Sequence, residues 1–347
     1  MKLMNKSKIR VAINGLGRIG RAFLKMALDK DELDIVAIND LADIENLAYL
    51  IRYDSAYGRS GLSVKTETGK LNINGKDILY LQEKEPVDLP WSKLGVDVVL
   101  ESTGFFASPE KAKVHLTAGA KRVVVSAPFE GQHENGGATG DTVLMGINEE
   151  NLKKCPISSN ASCTTNAASP VIQIMHEKIG ISKAMLSTVH AYTSSQRLVD
   201  SPDAKDWRRG RAGSANIIPS TTGAAVAVTK AMPALDGLFD GIALRVPIIT
   251  GSLVDLTFLS MRKTSVEEVN SILREAAASA RWKNLLEVTD DPIVSTDIIG
   301  NRHASIVDAG FTKVVDGDLV KILAWYDNEL GYTATLVDHV IKAGQNV

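Results

Sequence analysis

The sequence contains few cysteines, and this excludes two classes of protein. Among its 347 residues only Cys155 and Cys163 carry a thiol. Two thiols are too few for a disulfide framework, which small secreted domains use in place of a large core. They are also too few for a metal cluster, so we expect no metal site.

Long apolar runs and an excess of one charge are also missing. No apolar run approaches bilayer length and no secretory segment precedes the first polar residues, so we expect a cytoplasmic protein with no membrane partner. Lys and Arg total 39 against 41 Asp and Glu, which gives no reason to expect nucleic acid as a primary partner. Hydrophobic residues make up 44% of the chain, enough for the cores of two domains.

A glycine-rich turn follows the first predicted strand. The stretch Lys8 to Asn14 predicts a buried strand, and Gly15, Gly17 and Gly20 come directly after it with the spacing GxGxxG. The first glycine of such a turn permits a sharp bend, the second lets a pyrophosphate reach the backbone, and the third lets a helix pack against the strand. The pattern predicts a dinucleotide site, although the same spacing also occurs in ordinary turns.

Two further predicted strands end in residues that suit the same site. Asp40 follows the strand Leu33 to Ile38 and lies 20 residues beyond Gly20, where a carboxylate can accept hydrogen bonds from the adenosine ribose. Its charge favours NAD over NADP, because it repels a 2′-phosphate. The alternative role for Asp40 is a helix cap. Thr103 follows the strand Val96 to Leu100, at the sheet edge where doubly wound folds bind ligands.

The second cysteine lies in a polar turn, Ser159 to Asn166, from which a helix pattern begins near Thr164. A thiol at a helix N-terminus faces free N–H groups and the positive end of the helix dipole, which lowers its pKa and prepares Cys163 as a nucleophile. The alternative is a small buried hydrophobe, but the hydroxyl and amide neighbours are poor choices for a core. His190, at the end of a strand predicted for Ile181 to Val189, is the candidate base.

These motifs resemble, in order and over nearly the whole chain, those of the phosphorylating glyceraldehyde-3-phosphate dehydrogenase family. The stretches concerned are Ile13 to Arg21, Ser159 to Asn166, His190 to Thr193, Ile217 to Ala225, Leu244 to Pro247 and Trp325 to Glu329. The resemblance implies an α/β chain with a Rossmann-type doubly wound dinucleotide-binding domain and an α+β catalytic domain with a mostly antiparallel sheet. It also implies NAD-dependent oxidation of glyceraldehyde 3-phosphate to 1,3-bisphosphoglycerate, in glycolysis or gluconeogenesis, through a hemithioacetal and a thioester on Cys163.

The same resemblance assigns the remaining site residues. The expected NAD contacts are Gly15, Gly17, Arg18, Ile19, Gly20, Asp40, Thr103, Ser126 and Asn328, the last of them to the nicotinamide amide. The expected contacts of the substrate phosphate are Thr193 and Arg245. The attacking inorganic phosphate is assigned to Ser162, Thr164, Thr222 and Gly223, and Arg209 to both phosphates.

The expected division places the NAD-binding domain at 1–158 and the catalytic domain at 159–328, with a C-terminal helix within 329–347 that docks back on the first domain. Alternation from Leu62 to Leu81, with Asn74-Gly75 at a turn, predicts a hairpin at the sheet edge. Phe129 to Asp141 lacks periodicity and predicts a surface loop. The resemblance implies a homotetramer in which the loop from Ala191 to Gly213 reaches an adjacent subunit.

Two other functions remain open from the sequence. The first is erythrose-4-phosphate dehydrogenase, although the stretches beginning at His190 and Trp325 look more like the triose enzyme. The second is a dinucleotide-binding or RNA-binding protein without catalysis on the same fold, which the joint presence of Cys163, His190 and Arg245 disfavours.

Three positions depart from the family pattern. Ala167 stands where a second cysteine is frequent, and Leu330 where a tryptophan is common. The stretch from Ile248 to Gly251 replaces a more polar one on a subunit-facing strand. The last of these departures weakens the expectation of a tetramer.

Overall fold

A computed structural model describes residues 8–130, 140–204 and 206–347 of the chain. Most of the predicted loop from Phe129 to Asp141 therefore lies outside the described residues. The chain divides into two compact units. The first comprises the described residues of Met1–Val143 together with Asn148–Ala161 and Leu336–Val347, and the second comprises those of Leu144–Ile147 and Ser162–Thr335.

A nine-stranded sheet forms the centre of the first unit. The strands of this unit are β1 (Ile9–Asn14), β2 (Leu33–Asn39), β3 (Tyr53–Asp54), β4 (Gly58–Arg59), β5 (Val64–Glu67), β6 (Lys70–Ile73), β7 (Lys76–Leu81), β8 (Val98–Glu101), β9 (Arg122–Val125), β10 (Asp141–Thr142) and β11 (Ile157–Ser159). Its helices are α1 (Arg18–Ala27), α2 (Ile44–Arg52) and α3 (Pro109–Thr117). Strands β3 and β4 form a separate ladder.

The order across the large sheet is β10-β11-β9-β8-β1-β2-β7-β6-β5, and the strands from β10 to β7 are parallel. Parallel strands are covered on both faces, which explains the continuous apolar runs of β1 and β8. The chain proceeds to β2 on one side of β1 and later to β8 on the other. This reversal is the switch point of a doubly wound sheet, where ligands bind beyond the carboxyl ends of the strands.

The predicted hairpin at the sheet edge is confirmed. Strands β5, β6 and β7 are antiparallel neighbours and end the sheet. The turn between β6 and β7 places Asn74 at a φ of 52° and Gly75 at a φ of 85°. Both residues tolerate this left-handed conformation, which explains why the sequence marks the turn so clearly.

A seven-stranded sheet forms the centre of the second unit. Its strands are β12 (Ile181–Ala191), β13 (Ile218–Thr221), β14 (Phe239–Val246), β15 (Ser252–Ser260), β16 (Leu286–Thr289), β17 (Ser305–Val315) and β18 (Leu319–Tyr326), in the order β13-β14-β12-β15-β18-β17-β16. The helices are α4 (Cys163–Ile179), α5 (Ala224–Ala231) and α6 (Val266–Ala278). Four of the six strand pairs are antiparallel, as the resemblance implied.

One face of this second sheet is more exposed than the other. Along β15 buried and half-buried residues alternate, because α4 packs on one face only. On the other face the side chains of Met185 and Ile242 are 59% and 48% exposed. An apolar sheet face of this kind is typical of a surface that contacts another protein.

The last helix, α7 (Leu330–Gly344), contains the buried histidine His339. Within the first unit, its Nδ1 lies 3.0 Å from Asn160 Oδ1 and its Nε2 lies 2.8 Å from Ser158 Oγ. Burial, and to a smaller extent the charge of Lys342, lower the pKa of His339 to about 3. The folded protein therefore keeps this imidazole neutral at a pH where the unfolded chain protonates it.

Because the unfolded state binds the proton first, His339 should destabilise the fold as the pH falls from 6.5 towards about 3. The loss should reach about 1.4 kcal/mol per pH unit from this group. Urea unfolding at about pH 7 and about pH 5 should show a smaller loss in His339→Gln than in the wild type. Equal losses would mean that His339 is protonated to the same extent in both states.

Candidate active site

The three glycines after β1 have different structural roles. Gly15 has a φ of +95°, and a Cβ there would lie 2.8 Å from the carbonyl carbon of Ser102. A Cβ on Gly20 would lie 2.1 Å from the carbonyl oxygen of Gly15. A Cβ on Gly17 would meet nothing within 4 Å. Gly15 and Gly20 therefore allow the turn and the close packing of α1, and Gly17 leaves an open space at the start of the helix.

This open space suits a pyrophosphate. Helix α1 begins after Gly17 without a side-chain cap and without an acidic residue in its first turn, so its first N–H groups can bind an anion. A cavity of about 590 Å³ adjoins the turn within the first unit. Its wall includes Asn14, Gly15, Gly17, Asn39, Asp40, Glu83, Thr103 and Phe106. Its position at the switch point and its glycine-rich floor fit the NAD that the sequence predicts.

Asp40 lies at the wall of this cavity with its carboxylate fixed by the backbone. Its Oδ2 accepts a hydrogen bond of 2.6 Å from Leu16 N, and its Oδ1 accepts one of 2.9 Å from Ala42 N. The alternative role as the cap of the following helix is wrong, because Asp43 caps α2 through Asn46 N. The carboxylate is thus held rigidly at the site predicted for the adenosine ribose.

Five predicted NAD contacts lie outside the residues that line this cavity: Arg18, Ile19, Gly20, Ser126 and Asn328. Arg18 Nη1 lies 2.7 Å from Asp54 Oδ2, and its guanidinium lies over the ring of Tyr57. The backbone N–H of Ser126 donates to the carbonyl oxygen of Glu101 at the end of β8. Their assignment to the cofactor remains a prediction.

Cys163 is the first residue of α4, as the polar turn before it suggested. Ala161 has a φ of 54°, which turns the chain sharply, and Ser162 caps the helix by accepting a hydrogen bond of 3.1 Å from Thr165 N. The thiol Sγ lies 3.3 Å from Nε2 of His190, near the end of β12. The second unit therefore brings the predicted nucleophile and the predicted base into contact.

The sequence argument for a lowered thiol pKa does not hold in this arrangement. Removal of the thiol from water raises the pKa of Cys163, against the opposing effects of the Arg245 guanidinium and of the N–H and hydroxyl groups of Thr164. The neutral thiol is therefore the favoured form before a ligand binds. A partly buried sulfur carries a desolvation penalty that the helix pattern alone could not indicate.

His190 is 3% exposed and is held by two contacts of its Nδ1. This atom lies 2.7 Å from the carbonyl oxygen of Ala191 and 2.6 Å from Arg245 Nη1. Burial, followed by the Arg245 charge, lowers the pKa of His190 to about 3, so the imidazole is neutral near pH 7. The Ala191 carbonyl oxygen can only accept and the Arg245 guanidinium can only donate, so these two contacts favour opposite tautomers. The tautomer with its proton on Nδ1, directed at Ala191, presents a lone pair on Nε2 to the thiol, and Arg245 Nη1 can then donate to the same carbonyl oxygen at 3.3 Å.

Two arginines predicted for phosphate lie near this pair. Arg245 is opposite His190 in the register of β14 and β12, and Arg209 Nη2 donates to Ser220 Oγ at 3.1 Å. The Nε atoms of both are buried without a hydrogen bond among the described residues, although Arg209 Nε lies 3.4 Å from Asp206 Oδ2 in an ion pair. Buried guanidinium donors of this kind are suited to bind phosphate oxygens.

The other predicted phosphate contacts differ in whether their side chains already make hydrogen bonds within the protein. Thr193 Oγ1 lies 2.9 Å from Ser195 Oγ and near Gln196 Oε1, and Thr222 Oγ1 accepts from Ala224 N at 3.2 Å. Gly223 precedes α5, and a Cβ on it would meet nothing within 4 Å. Ser162 is occupied by the cap described above, and Thr164 Oγ1 lies 2.9 Å from the hydroxyl of Tyr326.

Tyr326 belongs to this site, but the sequence did not indicate its position. Its hydroxyl lies 2.9 Å from Thr164 Oγ1 and 2.8 Å from Thr188 Oγ1, and its ring packs edge-on against His190 with centroids 5.9 Å apart. The residue thereby ties the first turn of α4 to β12. In sequence it is one apolar residue of an alternating strand, which is indistinguishable from an ordinary core position.

Asn328 is oriented by donors from the loop before β15. Its Oδ1 accepts from Gly251 N at 3.2 Å, from Ser252 Oγ at 2.9 Å and from Thr250 Oγ1 at 3.3 Å. These bonds fix which end of the amide is oxygen, so Nδ2 is the end that can donate to a carbonyl ligand. The loop is the stretch that departs from the family pattern in sequence.

Comparison with known proteins decides the family. The model of the glyceraldehyde 3-phosphate dehydrogenase NAD binding domain matches residues 9–109, and the model of the C-terminal domain matches residues 162–328. The chain belongs to the glyceraldehyde-3-phosphate dehydrogenase family. The resemblance, the fold class, the assignment as an oxidoreductase and the NAD cofactor are thereby confirmed.

Named relatives agree along almost the full length. The chain is 43% identical over 333 residues to glyceraldehyde-3-phosphate dehydrogenase 1 of Kluyveromyces lactis, covering 96% of this chain and 98% of the relative. It is 44% identical to the enzyme of Geobacillus stearothermophilus, covering 95% and 96%. The enzyme of Zymomonas mobilis is 45% identical, covering 95% and 97%.

The geometry of the glycine turn predicts opposite effects of two alanine substitutions. Gly17→Ala places its methyl in open space, so the stability without NAD should change by less than about 0.5 kcal/mol while the NAD Kd rises about tenfold or more. Gly20→Ala forces a methyl against the Gly15 carbonyl and should destabilise the protein without NAD by about 1–3 kcal/mol. Urea unfolding and NAD titration measure both effects. Unweakened NAD binding by Gly17→Ala would place the pyrophosphate elsewhere.

Proposed function

We propose that the protein oxidises glyceraldehyde 3-phosphate to 1,3-bisphosphoglycerate with NAD and inorganic phosphate. The contact of 3.3 Å between Cys163 Sγ and His190 Nε2, with Arg245 beside it, is the observation that supports this reaction best. The names of the relatives point to the same activity.

The first step of the proposed reaction forms a hemithioacetal. His190 takes the thiol proton on Nε2 as Cys163 Sγ attacks the aldehyde carbon, and the carbonyl oxygen then receives that proton. The lowered pKa of His190 and the raised pKa of Cys163 keep both groups neutral until the aldehyde arrives. Formation of the charged pair is thus coupled to the formation of the sulfur–carbon bond.

The second step oxidises the hemithioacetal to a thioester. His190 removes the hydroxyl proton while the carbon loses a hydride. NAD, when bound, would supply the hydride acceptor. Asn328 remains the proposed contact of the nicotinamide amide, through Nδ2. The thioester retains a reactive acyl group on Cys163.

The third step transfers the acyl group to phosphate. An oxygen of inorganic phosphate attacks the thioester carbon, the carbon–sulfur bond breaks, and Cys163 leaves as thiolate. The proton that His190 took in the second step then returns to this thiolate, which restores the neutral pair. The unused Nε donor of Arg245 supports one anion position near the thiol, and the guanidinium of Arg209, which is ion-paired with Asp206, supports a second. We assign the substrate phosphate to Thr193 and Arg245. The attacking phosphate is assigned to Ser162, Thr164, Thr222 and Gly223, with Arg209 shared.

The thiol and imidazole roles predict distinct variant behaviour. Cys163→Ser should abolish NADH formation and leave NAD binding intact, because an alcohol is ionised too little near neutrality. His190→Asn should lower the rate by about 10²–10⁴-fold and shift the pH dependence of Cys163 alkylation by iodoacetamide. An alkylation profile identical to that of the wild type would remove His190 from the base role.

The phosphate assignment predicts a selective loss for Arg245→Leu. Without the guanidinium, the KM for the phosphorylated aldehyde should rise by about tenfold or more, because a charge-assisted hydrogen bond contributes about 1.5–3 kcal/mol. The NAD Kd should change little. Steady-state kinetics and NAD titration of the same preparation test this, and equal weakening of both ligands would make Arg245 a structural residue.

We propose the domain division 1–158 and 159–328, with the helix of 329–347 belonging to the first domain. The two compact units support it, since Leu336–Val347 groups with the amino-terminal residues. The helix crosses the division of the units, because its first turns group with the second one.

We also propose that the protein acts in the cytoplasm, as the name of the cytosolic enzyme of Gracilaria gracilis says of that relative. Among the described residues no helix is long and apolar enough to span a bilayer.

We propose that the protein is a homotetramer. Exposed apolar side chains on the sheet face at Met185 and Ile242, and in the long loop at Leu198 and Trp207, support contacts with further copies. Light scattering should give about four times the mass of the 37.3 kDa chain. A monomer at working concentration would contradict the proposal.

A further inference from the structure

A buried polar cluster lies in the first unit, and the reaction steps above do not use it. Glu101 ends β8 and is 1% exposed, while His115 of α3 and Trp91 are fully buried. Polar groups at such depth are costly unless each one is hydrogen-bonded. Their partners therefore show what the cluster holds in place.

The partners of His115 indicate which ring nitrogen carries the proton. Trp91 Nε1 lies 3.2 Å from His115 Nδ1, and an indole can only donate, so Nδ1 is the acceptor. The imidazole proton is then on Nε2, which donates to Glu101 Oε2 over 2.9 Å. Trp91 thus keeps the imidazole in one tautomer, directed at the carboxylate.

The other partners of Glu101 belong to the wall of the NAD cavity. Asn14 Nδ2 donates to Oε2 at 2.6 Å. The backbone N and the hydroxyl of Thr103 both donate to Oε1, at 2.8 and 2.5 Å. Every one of these neighbours can donate, so Glu101 acts as the acceptor for all of them.

The network continues across the carboxyl ends of the strands. Asn39 Nδ2 donates to Asn14 Oδ1 at 2.8 Å, and Asn39 Oδ1 accepts from Glu83 N at 2.8 Å. The ring of Phe106 packs edge-on against His115 with centroids 5.9 Å apart. Asn14, Asn39, Glu83, Thr103 and Phe106 all line the cavity.

We propose that Glu101 and His115, fixed by Trp91, are positioning residues for NAD. Neither residue lines the cavity. Together they fix the position of the Asn14 side chain and of the Thr103 backbone and hydroxyl. Thr103 Oγ1 donates a hydrogen bond to Glu101 and accepts one from Phe105 N at 3.1 Å. These two bonds fix the loop after β8. The proposal rests on NAD binding by the family and on no step of the thiol chemistry.

A pair of His115 variants tests the proposal. The amide of His115→Gln can donate to Glu101 and accept from Trp91, because its nitrogen and oxygen are spaced like the two ring nitrogens. His115→Leu keeps the bulk and removes both bonds. Fluorescence titration of the full-length protein should give an NAD Kd within about threefold of the wild type for Gln and at least about tenfold higher for Leu.

One further variant and two controls separate positioning from a general loss of stability. Leu71→Ala, at a fully buried position of β6, should destabilise the unit while leaving the NAD Kd unchanged. Trp91→Phe removes only the indole donor and should raise the NAD Kd several-fold, which keeps the proposal testable if His115→Leu does not fold. The rate of Cys163 alkylation without NAD should be the same in all these variants.

The outcomes are distinct. A wild-type NAD Kd in His115→Leu, or in Trp91→Phe where the leucine variant fails to fold, overturns the proposal. So does an equal rise of Kd in Leu71→Ala, which would make the cluster a source of stability alone. A changed alkylation rate without NAD would contradict the separation of this cluster from the thiol site.

Discussion

The contact between the Cys163 thiol and the His190 imidazole is the interaction on which the second unit's chemistry depends. Helix α4 must begin at the cysteine, and β12 must carry the histidine near its end, for the two atoms to lie 3.3 Å apart. Tyr326 connects these two elements through Thr164 and Thr188. The sheet, with α4 packed on one face, therefore fixes the distance between the thiol and the imidazole.

Burial controls the charges of this site as well as its geometry. It raises the pKa of Cys163 and lowers that of His190, with Arg245 adding to the second effect and opposing the first. The pair is consequently neutral at rest, and charge develops only as the thiol attacks. A substrate phosphate on Arg245 would offset the guanidinium charge beside His190, which makes the imidazole a better base when the substrate is bound.

Local sequence signals predicted the elements whose conformation one or two residues determine. Gly15, Gly20 and the pair Asn74-Gly75 adopt the turns expected of them. Long-range packing could not be predicted in this way. The strand β17 has a register irregularity between Asp308 and Lys313 that interrupts its alternation. The bonds of Tyr326 and Glu101, and the raised thiol pKa, arise from residues far apart in sequence.

One measurement tests the central claim most directly. NADH formation by the purified protein is followed with glyceraldehyde 3-phosphate and with erythrose 4-phosphate, each with and without inorganic phosphate. The account predicts rapid NADH formation that requires phosphate and is faster with the triose, because the thioester is released by phosphate attack. Turnover that is independent of phosphate, or faster with the tetrose, would contradict it.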